Sequence, residues 1–523
     1  MGPNGQQPIF ILREGTDRKH GRVAQSNNIA AARAVADAVR TTLGPKGMDK
    51  MLVDESGDVI ITNDGATILR EMNIDHPAAK MIIEVSKTQE QECFDGTTTA
   101  VVLSGELLKQ AEELLGQGIH PTTICDIYRT VGSEAVNALS GFSKATKDNT
   151  LLSVARTALT GKSSGDLKEH LASICVEAVR RLNAESGTIN LDDIMVVKAL
   201  GGEATDSSLI ESIVLDKERA HPSMPKTILN ANGAICVLSC PLTVQTTTMD
   251  ANIQITDPTQ IAAFLEQEEA SLREMVEKIA SSGATVVVCQ KEIDDLAKHY
   301  LAKEQILAVE KVKKSDIEAL SRVTGAAILG NLDDLDTAAL GSCDNVVEQR
   351  VGELPMVFFD GYESKPPVTL MLRGGTAPFI EEVERAFDDA VGVVKVAYED
   401  GRVVPGGGSV FAALAQSILT GANDKIGRER MAAEAVADAL LVIPRTLVEN
   451  AGLDPVDEIM TLRSAHNEGK ATWGVDVFAG GLVDMAESDV WEPLRVVSQA
   501  IKSAIETSIM ILRIDDVISS KKA

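Results

Sequence analysis

The sequence is poor in aromatic residues and lacks the marks of a disulfide-bonded, zinc-binding or membrane-spanning protein. Aromatics make up 3% of the 523 residues, whereas hydrophobic residues make up 44%, which favours cores packed through Ala, Val, Leu and Ile. Seven cysteines occur without a CxxC pair, and the seven histidines do not cluster. This pattern predicts reduced thiols rather than disulfides or a zinc site. No apolar run reaches the length of a membrane-spanning helix, so no span is expected.

Basic residues are also in deficit. The chain carries 50 Lys and Arg against 77 Asp and Glu, a net charge of −27. A surface this negative repels nucleic acids and anionic lipids, so neither nucleic acid nor membrane is an expected partner. The first residues, Met1 to Gln7, contain no apolar segment, which predicts a cytoplasmic rather than a secreted protein. The length suggests about three domains of ordinary size.

The most informative segment is Cys93-Phe94-Asp95-Gly96-Thr97-Thr98-Thr99, which precedes a long apolar-periodic run. A helix N-terminus has unpaired N–H groups and therefore attracts anions such as phosphate. An aspartate at that place can hold Mg²⁺ against the phosphates through its oxygens. The alternative is a capped helix with a threonine-rich first turn, and the segment alone leaves both interpretations open.

Periodicity and turn residues predict the order of the main elements. Proline-rich breaks fall at 221–225 and 366–367, and strand-like and helical runs alternate between them, which predicts an α/β domain. The predicted helices are 22–43, 97–115, 261–279 and 378–398, followed by an all-helical region from about 404; the predicted strands and turns are a hairpin at 50–61, a turn at 63–65, and strands at 234–238, 284–289, 368–372 and 511–518.

An ordered set of motifs along the whole chain resembles the group II chaperonins, the thermosome and the cytosolic TCP-1 family. Each motif is weak by itself, and their order makes the set specific. The segment 253–279 is similar to the lid protrusion of that branch. The matching motifs are 42–49, 62–69, 95–99, 372–376, Glu384-Arg385 with Asp389-Ala390, 404–408, and Glu492-Pro493 with 499–501.

The resemblance implies a multidomain α+β protein in three nested domains. A mostly helical equatorial ATP-binding domain would comprise 1–146 and 403–523, and a small α/β intermediate domain 147–215 and 367–402. The α/β apical domain, 216–366, would carry a helical lid protrusion at about 243–279. The partners implied are identical or paralogous subunits in stacked rings and non-native protein clients. The hairpin at 50–61 and the strand at 511–518 would pair between subunits, because exposed edge strands need a partner.

The resemblance also implies ATP and Mg²⁺ as cofactors. Asp95 would bind the metal, Asp64 and Asp389 would position and polarise the attacking water, and Lys162 would sense the γ-phosphate. The residues implied in nucleotide binding are Leu43, Gly44, Pro45, Asp95, Gly96, Thr97, Thr98, Thr99, Gly406, Gly407, Gly408, Gly474 and Glu492.

Several of these residues have a plainer interpretation when taken alone. Asp64 stands in an ordinary Asp-Gly turn sequence, and Lys162 could be a surface lysine. The segment that contains Lys162 resembles a P-loop motif, but Arg156 stands where that motif requires its upstream glycine. Asp388 and Asp389 point about 100° apart on a helix, so only one can face a site. The single Arg373-Gly374-Gly375 has no repeats or interleaved aromatics and does not indicate RNA binding.

The chain departs from the family pattern at three positions. Phe94 stands where the family has glycine, Asp388 where histidine is common, and Phe411 where an acidic residue is common. A positive φ at Phe94 would cost about 1–2 kcal/mol. These departures favour a divergent archaeal paralogue. Two functions follow as hypotheses: an ATP-driven folding chaperonin, or a holdase or regulatory ring subunit with weak or no ATPase. An unrelated acidic scaffold or metabolic ATPase is the third alternative.

Overall fold

The computed structural model describes residues 16–53, 57, 59–162, 166–186, 189–231, 234–244, 258–352, 354–361 and 368–520. The chain divides into two compact units, which are residues 1–172 with 389–523, and residues 173–388. Two helices, Asp166–Ser186 and Ala377–Asp400, continue across the unit boundaries. The fold is α+β and multidomain, as the sequence predicts; the division into three domains stays a prediction.

The first unit is mainly helical. A large core in this unit packs helices from both ends of the chain through Ala, Val, Leu and Ile side chains. The other helices are Arg22–Arg40, Gly65–Glu71, Pro77–Cys93, Thr97–Gly116, Pro121–Phe142, Asp148–Leu159, Ser409–Ala422, Arg428–Leu440, Val442–Asn450, Pro455–Asn467 and Leu494–Leu512; the strands are Thr16–His20, Lys50–Val53, Val59–Thr62, Lys144–Ala145, Arg402–Pro405, Trp473–Val475, Leu482–Asp484, Trp491–Pro493 and Asp516–Ser520.

The described residues of the second unit form three sheets. One is parallel, in the order 307–309, 286–289, 235–238, 328–329, and one is antiparallel, in the order 213–215, 354–360, 345–351, 227–229. In the third, Val368–Gly374 lies between Ile194–Leu200 and Ser208–Ile210. The other helices are Pro258–Ser281, Asp295–Lys303 and Lys314–Thr324, with 3-10 turns at Leu191–Asp193, Ala204–Asp206, Leu332–Asp334 and Thr337–Ala339.

The chain end differs from the sequence-based prediction. The predicted strand at 511–518 begins too early, because helix Leu494–Leu512 continues to Leu512 and the strand is Asp516–Ser520. That strand pairs antiparallel with Thr16–His20 of the same chain. The region after 404 is also not all helical, since it contains three short strands between 473 and 493. Short strands of three residues are too brief for a period-two pattern to reveal them.

Other predicted elements are confirmed with shifted ends. The hairpin is present as Lys50–Val53 and Val59–Thr62, and the helix predicted at 22–43 ends at Arg40. Helix Pro258–Ser281 includes the predicted 261–279, and its residues 266–270 are exposed. Residues 245–257 of the predicted protrusion lie outside the described residues. None of the described helices combines the length and the apolar character needed to cross a membrane. All seven cysteines are free thiols.

A buried carboxylate lies inside the helical core. Glu106 has a side chain only 1% exposed and forms ion pairs with Lys109 at 2.8 Å and Arg40 at 3.4 Å. Burial alone would raise the pKa of Glu106, but the Lys109 hydrogen bond and charge and the Arg40 charge bring the pKa below its ordinary value. The ionised form is therefore the one that the fold stabilises.

We expect Glu106→Gln to lower the free energy of unfolding by about 1–3 kcal/mol at neutral pH, because two partly exposed cations lose their buried anionic partner. A lowered carboxyl pKa contributes stability above the unfolded pKa, and this stability is lost as pH falls through the folded pKa. The difference from wild type should therefore shrink as pH falls below 4.5, the ordinary value for glutamate. Thermal melting between pH 3 and 7 measures this. Glu112→Gln, which removes a partly exposed pair with Arg33, is the control and should change stability by less than about 1 kcal/mol.

Candidate functional site

The threonine-rich segment forms a sharp turn between two helices. Helix Pro77–Cys93 ends at Cys93, and the helix Thr97–Gly116, named the Thr97 helix below, begins after Gly96, whose φ is 78°. Because its N-cap residue is a glycine, no side chain caps the first turn, and the orphan N–H groups of a helix N-terminus face the loop. Asp95 Oδ1 accepts a hydrogen bond of 2.7 Å from the Gly96 N–H. The turn thus presents N–H groups, hydroxyls and one carboxylate together.

Gln89 holds this turn in place, although no local sequence pattern indicates that role. Its buried side-chain amide donates to the carbonyl oxygens of Asp95, at 2.8 Å, and Val496, at 3.1 Å. A Cβ on Gly96 would lie 2.9 Å from the Gln89 Nε2. Glycine is therefore required at 96 for its positive φ and for this close approach. A glutamine six residues before the aspartate resembles any other helical glutamine until the turn folds back on it.

Asp64 lies against the same helix start. Its Oδ2 accepts a 2.8 Å hydrogen bond from the Thr67 N–H and caps the helix Gly65–Glu71. A Cβ on Gly65 would lie 2.4 Å from Thr98 Oγ1, so only glycine lets this capped end reach the Thr97 helix. The predicted turn at 63–65 is thus a helix start, because an Asp that can cap its own following turn favours a helix N-terminus. Gly65, the residue after Asp64, therefore lies against Thr98.

Lys162 and Asp389 form a short ion pair within the first unit. Their side chains keep 26% and 38% of their exposure, so both remain reachable by a ligand. Burial raises the pKa of Asp389, the Lys162 charge opposes that rise, and the charges of Asp64 and Asp95 add to it. Burial would lower the pKa of Lys162, but Asp389, Asp95 and Asp64 outweigh it and keep the ammonium charged. One cation therefore balances three carboxylates.

The loop after helix Arg22–Arg40 adjoins this ion pair. A Cβ on Gly161 would lie 3.3 Å from the Cα of Pro45, so the Lys162 turn packs on the loop backbone. Gly44 has a φ of 82°, and a Cβ there would meet Leu447 at 2.3 Å. Leu43 is buried in the core. Any contact that Leu43 makes with a ligand would therefore come from its backbone.

Asn450 fixes the position of this loop and was also missed. Its Nδ2 donates to the carbonyl oxygens of Arg40, at 3.1 Å, and Leu43, at 2.8 Å. Arg40 is the last residue of its helix, where C=O groups lack intrahelical partners, and Leu43 lies in the loop that follows. Its distance in sequence from the loop, more than 400 residues, explains why no local pattern indicates this contact.

The three consecutive glycines, 406–408, have two roles. Gly406 and Gly407 make close contacts, and Gly408 begins a helix. A Cβ on Gly474 would lie 2.8 Å from the Gly407 carbonyl oxygen, and a Cβ on Gly406 would lie 3.0 Å from Glu492 Oε1. Gly408, with a φ of 74°, begins helix Ser409–Ala422 and abuts Pro444, so its position serves that helix start. Of the three, Gly406 and Gly407 adjoin the other predicted nucleotide residues.

Glu492 is a titratable group inside this region. Burial raises its pKa to about 8, with a smaller contribution from the negative charge of Asp95. At neutral pH the carboxyl group is therefore mostly protonated and can donate a hydrogen bond as well as accept one. A protonated carboxyl also avoids repelling a polyphosphate.

The donor set fits Mg²⁺ together with phosphate rather than a metal held by protein alone. Among the described residues, no group of three or more His, Cys, Asp or Glu side chains could hold an ion. Mg²⁺ is commonly bound through one or two carboxylates plus phosphate oxygens and water. Asp95 at a threonine-lined helix start supplies the oxygen ligand that such a site requires. The geometry therefore suits a magnesium–nucleotide complex.

Phe94, the departure from the family pattern, has the strained backbone that the sequence predicts for it. Its φ is 58° and its ψ 4°, which is the left-handed region, and it ends helix Pro77–Cys93. A non-glycine residue in this region costs about 1–2 kcal/mol. The strain does not distort the turn, because the Phe94 N–H still donates to the Glu90 carbonyl at 2.9 Å.

Known proteins and a family model match this chain over nearly its full length. A model of the TCP-1/cpn60 chaperonin family matches residues 35–522. The thermosome subunit alpha of Archaeoglobus fulgidus is 53% identical over 520 residues, which cover 98% of this chain and 95% of that protein. A thermosome subunit of Pyrococcus horikoshii is 52% identical over 522 residues, covering 99% and 95%. The thermosome subunit alpha of Thermoplasma acidophilum is 51% identical over 523 residues, covering 99% and 96%.

We expect Gln89→Leu to weaken binding of Mg-ADP about tenfold, because the Asp95 carbonyl loses its hydrogen bond from the Gln89 amide, worth about 1 kcal/mol, and the link of this amide to the Val496 carbonyl is lost as well. Isothermal titration calorimetry measures the affinity. Gln25→Leu is the matched control, since its amide also donates to a helix-end carbonyl, that of Leu512 at 3.3 Å, away from the turn. Equal affinities in wild type and Gln89→Leu would show that this amide does not order the site.

Proposed function

The chain belongs to the TCP-1/cpn60 chaperonin family as a subunit of the thermosome type, and on that premise we propose that it hydrolyses Mg-ATP at the site around Asp95 to drive the folding of other proteins in a cytoplasmic ring. The observation that carries the proposal is the Lys162–Asp389 ion pair. It lies within electrostatic range of Asp64 and Asp95, beside a glycine-capped helix N-terminus.

The residues divide into phosphate-binding and water-positioning groups. The first-turn N–H groups and the hydroxyls of Thr97, Thr98 and Thr99 donate hydrogen bonds to the negative phosphate oxygens, as a helix N-terminus does in general. Asp95 would hold Mg²⁺, and the ion would supply positive charge against the phosphate oxygens. Gly44, Gly406 and Gly407 allow the nucleotide to approach the backbone.

Asp389 and Asp64 act on the attacking water. Burial makes the Asp389 carboxylate more basic than an exposed aspartate, so it is a better hydrogen-bond acceptor for a water proton. Lys162 lies beside Asp389 and supplies a positive charge that a terminal phosphate would share. When phosphate enters, this lysine exchanges part of its carboxylate pairing for a phosphate contact, which links occupancy of the site to the position of its own turn.

The proposed cycle uses hydrolysis for conformational gating. The three nested domains, equatorial, intermediate and apical, would move relative to one another as nucleotide binds and is hydrolysed, and non-native proteins would bind the apical domain through their exposed apolar surface. The segment around 243–279 would then close over the central cavity of the ring and enclose the non-native proteins. The motifs of the ATP site and of this segment support the same family, which is the basis for joining them in one mechanism.

Ring assembly has a candidate contact in the hairpin Lys50–Val53 and Val59–Thr62. Four of its apolar side chains are more than half exposed: Met51, Val53, Val59 and Ile61. Within the described residues the two strands pair only with each other, so both outer edges are open to a further strand. We propose that a neighbouring subunit pairs there, with the ribbon of Thr16–His20 and Asp516–Ser520 as its complement.

We expect Ile61→Lys to reduce assembly, because a charge on the paired face would be buried without a partner. Multi-angle light scattering should then show smaller species at micromolar concentration, with unchanged far-ultraviolet circular dichroism. Leu296→Lys, at an exposed apolar position of the second unit, should assemble as wild type does. A fully assembled Ile61→Lys ring would exclude the hairpin from the contact.

We expect Asp389→Ala to keep ATP binding and to lower turnover about 10²- to 10⁴-fold, because the water loses its acceptor. Mg²⁺-dependent phosphate release and equilibrium binding, measured on the same assembled sample, separate the two effects. Asp388→Ala changes the exposed neighbouring carboxylate and should turn over at the wild-type rate. Normal turnover by Asp389→Ala would refute the role assigned to it.

The strained backbone of Phe94 favours a second candidate, a holdase or regulatory ring subunit with weak or no ATPase. The distinguishing measurement is Mg²⁺-dependent turnover by the assembled wild-type protein. Clear turnover excludes this candidate, and an intact ring without turnover favours it.

A further inference from the structure

We propose that Phe94 is a positioning residue that docks the Asp95 turn onto the helix carrying Asp389, with its ring seated in a notch made by Gly392. The inference rests on the proposed function, since it assigns a role within the same ATP site. It concerns a contact of this chain's own side chains inside the first unit.

The notch is visible in the distances. A Cβ placed on Gly392 would lie 2.2 Å from Phe94 Cγ and 2.6 Å from both Phe94 Cβ and Cδ1. No real side chain fits in that space, so the ring rests directly on the helix backbone. Gly392 is buried inside helix Ala377–Asp400, where glycine is a weaker helix former than alanine. The phenylalanine in the turn and the glycine in the helix are thus complementary in shape.

The two contacting residues stand next to the two functional carboxylates. Phe94 immediately precedes Asp95, and Gly392 follows Asp389 by three positions, which places both on one side of the helix. The contact therefore joins the turn that would hold the metal to the helix that would position the water. Because close-packed groups transmit displacement rather than absorb it, a shift at Gly392 should move Asp389 relative to Asp95.

Two further observations fit a docking role. Phe94 keeps a left-handed backbone, φ 58°, that glycine would adopt without strain; such strain persists where the surrounding packing holds the residue in place. The Lys395 Nζ lies 6.0 Å from the ring centroid, one turn beyond Gly392. The ring thus contacts the helix backbone and lies at the outer range of a cation–π interaction with the same helix.

The test is a double-mutant cycle on the assembled protein with Phe94→Gly, Gly392→Ala and the combined variant. We expect Gly392→Ala to lower kcat about fivefold or more, because its methyl group displaces the ring, while the Kd for Mg-ADP stays within about twofold. In the Phe94→Gly background the same alanine should cost less than about twofold, since the clash is gone. Phe94→Gly alone should lower kcat about threefold with unchanged Kd, because the turn and helix are no longer docked.

Gly141→Ala is the matched control, because Gly141 is also helical but a Cβ there meets nothing within 4 Å. It should leave kcat and Kd unchanged. Each variant is first checked for assembly by light scattering. If Gly392→Ala fails to assemble, assembly of the combined variant supports the docking contact.

The inference is overturned if Gly392→Ala costs the same with and without Phe94, or if Phe94→Gly has the kcat of wild type. If both Gly392→Ala and the combined variant fail to assemble, the kcat of Phe94→Gly alone decides the question. These outcomes differ from failure of the proposed function, which would show as a wild-type ring without Mg²⁺-dependent turnover.

Discussion

The site depends on the balance between one lysine and three aspartates. Asp64, Asp95 and Asp389 carry like charges in a partly desolvated space, where repulsion is stronger than in water. The Lys162 ammonium pairs with Asp389, and the charges of Asp64 and Asp95 also raise its pKa. A polyphosphate would add more negative charge, and this lysine and the N–H groups of the Thr97 helix would offset part of it. In the proposed site, binding of the cation and binding of the phosphate would therefore depend on each other.

Backbone approach is the second condition, and it explains why the motifs of this family-like pattern contain so many glycines. Gly65 lets the capped helix reach Thr98, and Gly96 lets Gln89 reach the Asp95 turn. In each case a Cβ would come within 3 Å of a neighbouring side chain. These glycines determine how closely the functional groups approach one another. The side-chain amides of Gln89 and Asn450 then hold the loops by donating hydrogen bonds to backbone carbonyl oxygens of those loops.

Phe94 shows how a departure from a pattern gains meaning from its surroundings. In the sequence it is a substitution at a position that favours glycine, and it predicts only strain. In the structure its ring occupies space that Gly392 leaves open. The strained backbone of Phe94 and the absent side chain of Gly392 therefore belong to one contact. Both residues lie close in sequence to residues of the proposed chemistry, Asp95 and Asp389.

The sequence alone was enough for the family resemblance, the hairpin at 50–61, the long helices and the identity of Asp64, Asp95, Lys162 and Asp389 as candidates, because periodicity, capping residues and ordered motifs are local signals. The tertiary structure decided the pairing of Asp516–Ser520 with Thr16–His20, the short strands after 473, and the contacts of Gln89, Asn450 and Gly392. Most of these contacts join residues tens to hundreds of positions apart, and the Gln89 amide meets Asp95 only where the chain folds back at Gly96. Packing and hydrogen bonding between such residues depend on how the whole chain folds, which no local pattern records.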